Sequence, residues 1–191
     1  GYGEEWVKEA KKRGLSNLAN TPEALSVWGR KEVIDLFDKM KVLHPAELAA
    51  RQDVEYEKYV MHRKIEANVA IDMARNTILP AAISYQNFLL ENIVGLEEVF
   101  GKEGKSMTTA QRDILKRTSA LVNELYASIK RLRENKEKVN ARKTTEEIAD
   151  GYGNIIFPIT EELGEICTKM EGMIDNEIWP LPKFQELLFT R

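Results

Sequence analysis

The sequence predicts an all-α protein: an antiparallel helical bundle with long helices, one interrupted at a proline, plus short N-terminal helices. Three observations predict it. Helix start and stop signals recur along the whole chain, and one stretch carries an unbroken heptad of apolar positions. Strand signals are nearly absent, with no sustained apolar/polar alternation and no Asn-Gly pair; the one Asp-Gly pair, Asp150-Gly151, is flanked by helical pattern on both sides.

Glu4 to Arg13 reads as a short helix closed by Gly14 at the C′ position. Thr21-Pro22-Glu23 reads as an N-cap followed by proline at the first helical position, opening a second short helix. Lys31 to Met40 continues as a third that buries Val33, Ile34, Leu36 and Phe37. His44-Pro45 then opens a long helical tract reaching about Phe100. Its first half carries Leu48, Tyr56, Tyr59, Val60, Ile65, Val69 and Met73, and its second half Ile83, Phe88, Leu89, Ile93, Leu96 and Phe100. Within it stands Pro80, which removes one backbone hydrogen bond and presses on the carbonyl of Asn76, at a cost of roughly 3 kcal/mol in an unbroken α-helix. A kink or a helix end is therefore expected within a turn of Leu79.

The loop "GKEGKSM" reads as an exposed turn, Gly101 as a helix cap, and Thr108 or Thr109 as the cap of the next helix. Leu115, Thr118, Val122, Leu125, Ile129, Leu132, Lys136 and Val139 follow at alternating spacings of three and four, predicting a helix of about 30 residues, or roughly 45 Å. The ammonium of Lys136 marks the place where that seam should open to water. Thr144 and Glu147 have capping-box spacing and open a new segment, in which Gly151-Tyr152-Gly153 reads as a helix break. Ile159, Leu163, Ile166, Cys167, Met170, Met173 and Ile174 stripe the last long helix, before Pro180 and Pro182. The expected organisation is a single helical domain over residues 1–191, with a short-helix layer at 1–40, a long-helix bundle at 45–175 and an aromatic C-terminal tail at 176–191. No internal repeat or low-complexity segment is read from the sequence.

Composition excludes several functions. With 43% hydrophobic and 31% charged residues the chain has the balance of an ordinary soluble domain. A net charge of −3 provides no general attraction to nucleic acid or an anionic membrane, and neither is an expected partner. No apolar run approaches the roughly 18 residues of a membrane span. The single Cys167 rules out an intrachain disulfide framework and a cysteine-only zinc site, so a reducing cytoplasm fits best. The chain begins Gly-Tyr-Gly rather than with methionine and reads as a piece of a longer protein.

Signals for catalysis are weak. Gly151-Tyr152-Gly153 lacks the third glycine of a dinucleotide-binding loop and follows no strand. A carboxylate-bridged metal pair in a bundle needs two Glu-x-x-His motifs. Tyr59 precedes His62 by three residues and Lys41 precedes His44 by three, so neither motif is complete. His62 and Glu66 share a helix face, but two donors do not make a site. No catalytic, cofactor-binding or metal residue is therefore predicted in this chain.

Two surface features remain. Lys130, Arg131, Arg133, Lys136, Lys138, Arg142 and Lys143 stand against only Glu134 and Glu137. They form a possible basic patch that could grip phosphates, or that pairs with the acids of the last long helix, Glu161, Glu162, Glu165, Glu171, Asp175 and Glu177. In the tail, Trp179, Phe184, Leu187, Leu188 and Phe189 form a possible interaction surface, unless they pack back onto the domain's own core.

The opening "GYGEEWVKEAKKRGLSNL", the segment "MARNTILPAAISYQ" and the closing "DNEIWPLPKFQELLF" together resemble the C-terminal region of type III glutamine synthetases, in the family's order. The matching pieces are "EEW" at Glu4 to Trp6, "RGL" at Arg13 to Leu15, "ILPAA" at Ile78 to Ala82 and "WPLP" at Trp179 to Pro182; between Phe100 and Asp175 there is no family motif. The resemblance implies large cytoplasmic enzymes that join ammonia to glutamate with ATP and divalent metal, assembled into rings. Their glutamate-, ATP- and metal-binding motifs lie upstream of the matched region and do not occur here, so no catalytic residue carries over. It implies a non-catalytic helical C-terminal domain, itself inactive, that packs subunits and supports the upstream catalytic domain of the same chain, in a full-length homo-oligomer. The residues alone also admit a stand-alone helical interaction module that binds a regulator through Lys130–Lys143.

Overall fold

The structure, a computed structural model, describes residues 3–188, and every regular element among them is helical. The α-helices are α1 (Glu4–Lys12), α2 (Thr21–Ser26), α3 (Lys31–Lys39), α4 (Pro45–Met73), α5 (Leu79–Phe100), α6 (Gly104–Met107), α7 (Thr109–Asn140), α8 (Thr145–Gly151), α9 (Phe157–Glu171) and α10 (Phe184–Leu187). They group into two compact units. One is Gly1–Lys64 with Lys138–Ile155, and the other is Ile65–Glu137 with Ile156–Arg191.

Local chemistry sets most element ends. Gly14 takes φ +71° after α1, and the Leu15 N–H reaches back to the Ala10 carbonyl. The cap of α2 is Asn20 rather than Thr21: its side chain accepts from the Glu23 N–H, and the N-terminal boundary shifts by one residue. His44 caps α4, with Nδ1 accepting from the Ala46 N–H and the Glu47 carboxylate accepting from the His44 N–H at 2.8 Å. The capping box at Thr144 and Glu147 is present. Gly101 ends α5 at φ +57°. The loop after it is not simply exposed: it folds into α6, whose Gly104 is buried, and a Cβ there would stand 2.6 Å from the Leu96 carbonyl oxygen.

In the first unit α2 packs on α8. Gln52 Nε2 donates to the Leu25 carbonyl at 2.7 Å, and Leu48, Tyr56, Val139, Ala149 and Tyr152 are buried. In the second unit α7 runs antiparallel to the end of α4 and to α5. Lys136 bonds Asn68, Gln86 donates to Ser119 at 2.7 Å, and Gln111 donates to Asn92 at 3.3 Å. The ion pair of Arg131 with Glu162 sets α9 against α7. The heptad forms this unit's core seam: Thr118, Leu125, Ile129 and Leu132 are buried, while Lys136 is half-buried where it meets Asn68.

Several residues expected in the core lie outside it. Leu36, Ile65, Val69, Met73, Ile83, Phe88 and Phe100 are exposed. On α5 the buried face is instead Ala82, Tyr85, Leu89 and Ile93. Small residues such as Ala67, Ala74 and Ala82 occupy the buried face and admit close helix approach, so a reading weighted to large side chains picks the wrong face.

The tract around Pro80 neither ends nor restarts. Helical conformation is continuous from Pro45 to Phe100, 56 residues, through a π-helical turn at Ala74–Ile78. There the Leu79 N–H donates to the Ala74 carbonyl, five residues back, while Met73, Ile78 and Leu79 all keep right-handed helical dihedrals. The disturbance lies where the proline places it, but as a widened turn rather than a helix end. One extra residue in the turn moves the Asn76 carbonyl away from the proline ring.

The same device recurs. A second π turn, Tyr152–Ile156, joins α8 to α9, and Pro158 follows it at the start of α9. The supposed helix break at Gly151-Tyr152-Gly153 is therefore continuous helix. Its glycines serve packing, since a Cβ on Gly151 would lie 2.7 Å from Val139 Cγ1 and one on Gly153 3.3 Å from the Tyr59 hydroxyl. The two turns share the pattern Asp-x-x-x-Asn-x-Ile-[Leu/Phe]-Pro, at 72–80 and 150–158. In each the Asn side chain donates to the Asp at 2.6 Å. This short internal echo corrects the expectation of no repeat.

Candidate functional site

The first π turn lines a cavity of about 350 Å³ in the second unit. Arg75 comes from the turn and Leu79 from the residue just past it, while α7 contributes Tyr126, Ile129, Lys130, Arg133, Glu134 and Glu137. Of these, Ile129 is buried and Tyr126 is 63% exposed. Lys130 Nζ lies 3.8 Å from the Glu134 carboxylate. The side chains of Arg75 and Arg133 have neither hydrogen bond nor ion pair among the described residues. π turns are frequent at functional sites, because the extra residue re-aims side chains that a regular helix would place elsewhere.

The seven cations of the expected basic patch take several different settings. Lys130 and Arg133 line the cavity. Arg131 pairs with Glu162 on α9, as the charge pattern of the two helices suggested for this one pair. Lys136 bonds Asn68. Arg142 donates to the Glu147 carbonyl at 2.7 Å and stands 3.5 Å from the Asp150 carboxylate. The Lys143 backbone N–H donates to Glu147, and the Lys138 and Lys143 side chains are exposed. Sequence reasoning missed Arg75 and Leu79; the repeated Asn-x-Ile-[Leu/Phe]-Pro pattern was the signal that could have found them.

The tail divides. Trp179 is buried, Leu187 and Leu188 are exposed, and Phe184 opens α10. The side chain of Phe184 and the whole of Phe189 lie outside the described residues.

Among the described residues, no ionisable group whose pKa burial shifts resembles an activated nucleophile. Burial pushes the Cys167 thiol up to about 11, away from the thiolate range. Burial, and then the negative charge of Glu146, push Tyr56 up to about 12. Burial also raises Tyr152, and its hydroxyl donates to Asn140 at 3.0 Å. Among the described residues no group of three or more His, Cys, Asp and Glu could hold a metal ion, and His62 is exposed. No helix among them is long and apolar enough to cross a membrane.

One stretch of α5 presents apolar side chains without cover. Ile83, Leu90 and Val94 are 44%, 49% and 46% exposed. At intervals of seven and four residues they fall on one face of the helix.

Comparison with known proteins adds identity to this geometry. Residues 1–97 match the family described as Glutamine synthetase C-terminal domain. Over its whole length the chain is 38% identical to a glutamine synthetase of Bacteroides fragilis (strain YCH46). It is 30% identical to the type-3 glutamine synthetase of Dictyostelium discoideum and 26% identical to a glutamine synthetase of Butyrivibrio fibrisolvens. It spans about a quarter of the length of these relatives, between 26% and 27%.

Proposed function

We propose a structural role for this chain, which belongs to the glutamine synthetase C-terminal domain family: it packs subunits together and supports the catalytic domain of a type III enzyme. The reaction of that enzyme, ATP-dependent ligation of ammonia to glutamate, belongs in this reading to the part of the protein upstream of the chain, together with its ATP and divalent metal. The working compartment is the cytoplasm, where a lone half-buried thiol such as Cys167 stays reduced.

The observation that carries the proposal is the row of Ile83, Leu90 and Val94 on α5. A helix of a soluble protein normally turns one apolar stripe inward and a polar face outward. α5 already buries Ala82, Tyr85, Leu89 and Ile93, so its second apolar stripe is left for a neighbouring subunit. A charged substitution there, Leu90→Lys, should shift the full-length enzyme to smaller assemblies in analytical ultracentrifugation, with activity falling in parallel. An unchanged assembly would refute the packing role of this face. The 191-residue chain alone is expected to form no glutamine from glutamate, ammonia and ATP, and measurable turnover would refute the non-catalytic reading.

A further inference from the structure

We propose that the cavity at the first π turn binds a small organic anion, one carboxylate or phosphate head on an apolar or aromatic body. Its volume of about 350 Å³ lies within the range of small-molecule sites. Arg75 and Arg133 reach it from different helical segments, with their guanidinium forks unused among the described residues. Such forks match carboxylate and phosphate oxygens two at a time. Leu79 and Ile129 supply an apolar floor, and the exposed Tyr126 ring offers a face on which a flat ligand can stack.

Charge narrows the ligand further. Glu134 and Glu137 share the lining with the three cations, and Glu134 already engages Lys130. The surplus is a single positive charge, suited to a head of one or two negative charges. A polyanion would meet the two carboxylates.

The second π turn is an internal control. Counting back from each proline, Gly153 occupies the position of Arg75, and Tyr59 and Pro22 close over it. The same backbone device is sealed by packing in one place and opened beside a cationic side chain in the other. Holding the helix past a proline does not require an arginine, so Arg75 is free to serve a ligand.

Isothermal titration calorimetry on the intact protein that carries this chain tests the assignment, with phenyl phosphate, benzoate, inorganic phosphate and benzyl alcohol as probes. Phenyl phosphate or benzoate should bind at least about tenfold more tightly than the bare head or the bare body. Whichever binds identifies the head group. Arg75→Gln and Arg133→Gln should each weaken it about tenfold, as expected for loss of a charge-assisted pair. Arg133→Lys should lose less. Arg117→Gln, on α7 but outside the cavity, should leave affinity unchanged. Thermal unfolding should be the same for all these variants, because the arginines concerned are exposed. No binding by either aromatic anion, or binding that both cavity variants leave intact, would overturn the site.

Discussion

The two π turns begin from nearly the same instruction and end in different surroundings. Both carry Asp and Asn four residues apart, then Ile two residues before a proline, and both widen the helix by one residue so that it can run past the proline. In both the Ile is buried, at 4% exposure for Ile78 and 1% for Ile156. The difference lies in the other positions. Ala74 and Arg75 in the first turn correspond to Tyr152 and Gly153 in the second. The first pair leaves room and a cation beside a cavity. The second fills space with a buried ring and admits Tyr59 and Pro22 against the backbone. The backbone motif answers to the proline, and the residues it leaves free decide whether the turn becomes core or lines a cavity.

If that division is right, the shared position should respond alike in both turns. Ile78→Ala and Ile156→Ala are each expected to cost about 2–5 kcal/mol in chemical denaturation, as for large-to-small changes in a packed core. A large cost at one and a negligible cost at the other would show that the turns are held by different means. The free position should respond unequally. Gly153→Arg must push apart Tyr59 and Pro22, and is expected to cost about 3 kcal/mol, the upper range for overpacking. Arg75→Gly, on an exposed helical position, should cost about 1 kcal/mol from helix propensity alone. Equal costs would erase the distinction.

Much of the fold was legible where a single physical rule acted alone. The heptad from Leu115 to Val139 identified the buried seam because period and burial coincide on α7. The capping box at Thr144 and the glycine at position 14 fixed helix ends through local hydrogen bonds. Legibility failed where two rules competed. On α4 and α5 large apolar residues occur around more than one face, and alanines share the buried one, so periodicity selected Ile83 and Phe88 over Ala82 and Tyr85. At Pro80 the sequence located the disturbance but not its form. Whether a helix stops or widens depends on the packing on either side, here the turn against α9, with Ala74 and Ile78 buried. The cavity was half visible, as Lys130 and Arg133. Arg75 was not, since it lies 55 residues earlier and meets them only after folding.

Alkaline pH should separate the surroundings of the second turn from those of the first. Tyr152 sits within the second turn and Tyr56 in the same unit, and both hold their protons more firmly when folded than the ordinary phenol value of 10. A raised folded pKa adds stability that is complete below pH 10 and is lost as pH rises through about 12 for Tyr56. Urea denaturation of the parent should therefore show stability falling across that window. Tyr56→Phe should make the fall shallower, and Tyr152→Phe should act in the same direction. An identical slope in the parent and Tyr56→Phe would mean that ionisation of this phenol is not opposed by the fold.

The smallest difference tests the finest part of the comparison. Asn76 and Asn154 make the same bond to the Asp one turn earlier, at the same 2.6 Å. Asn76 is exposed, and that bond lies along its own helix. Pairs of this kind contribute about 0.2–0.5 kcal/mol, so Asn76→Ala should be nearly silent. Asn154 also accepts, through Oδ1, a hydrogen bond at 2.9 Å from Asn20, the residue that caps α2. Removing Asn154 therefore takes away a tertiary bond as well, and Asn154→Ala should cost about 1 kcal/mol. The double variant Asn20→Asp with Asn154→Ala identifies the source. Asp keeps the capping oxygen but cannot donate to Asn154, so Asn20→Asp alone should already remove the tertiary part. Adding Asn154→Ala should then cost only as much as Asn76→Ala does. If the second substitution retains its full effect in the Asn20→Asp background, the bond between the cap and the turn is not what distinguishes the two asparagines.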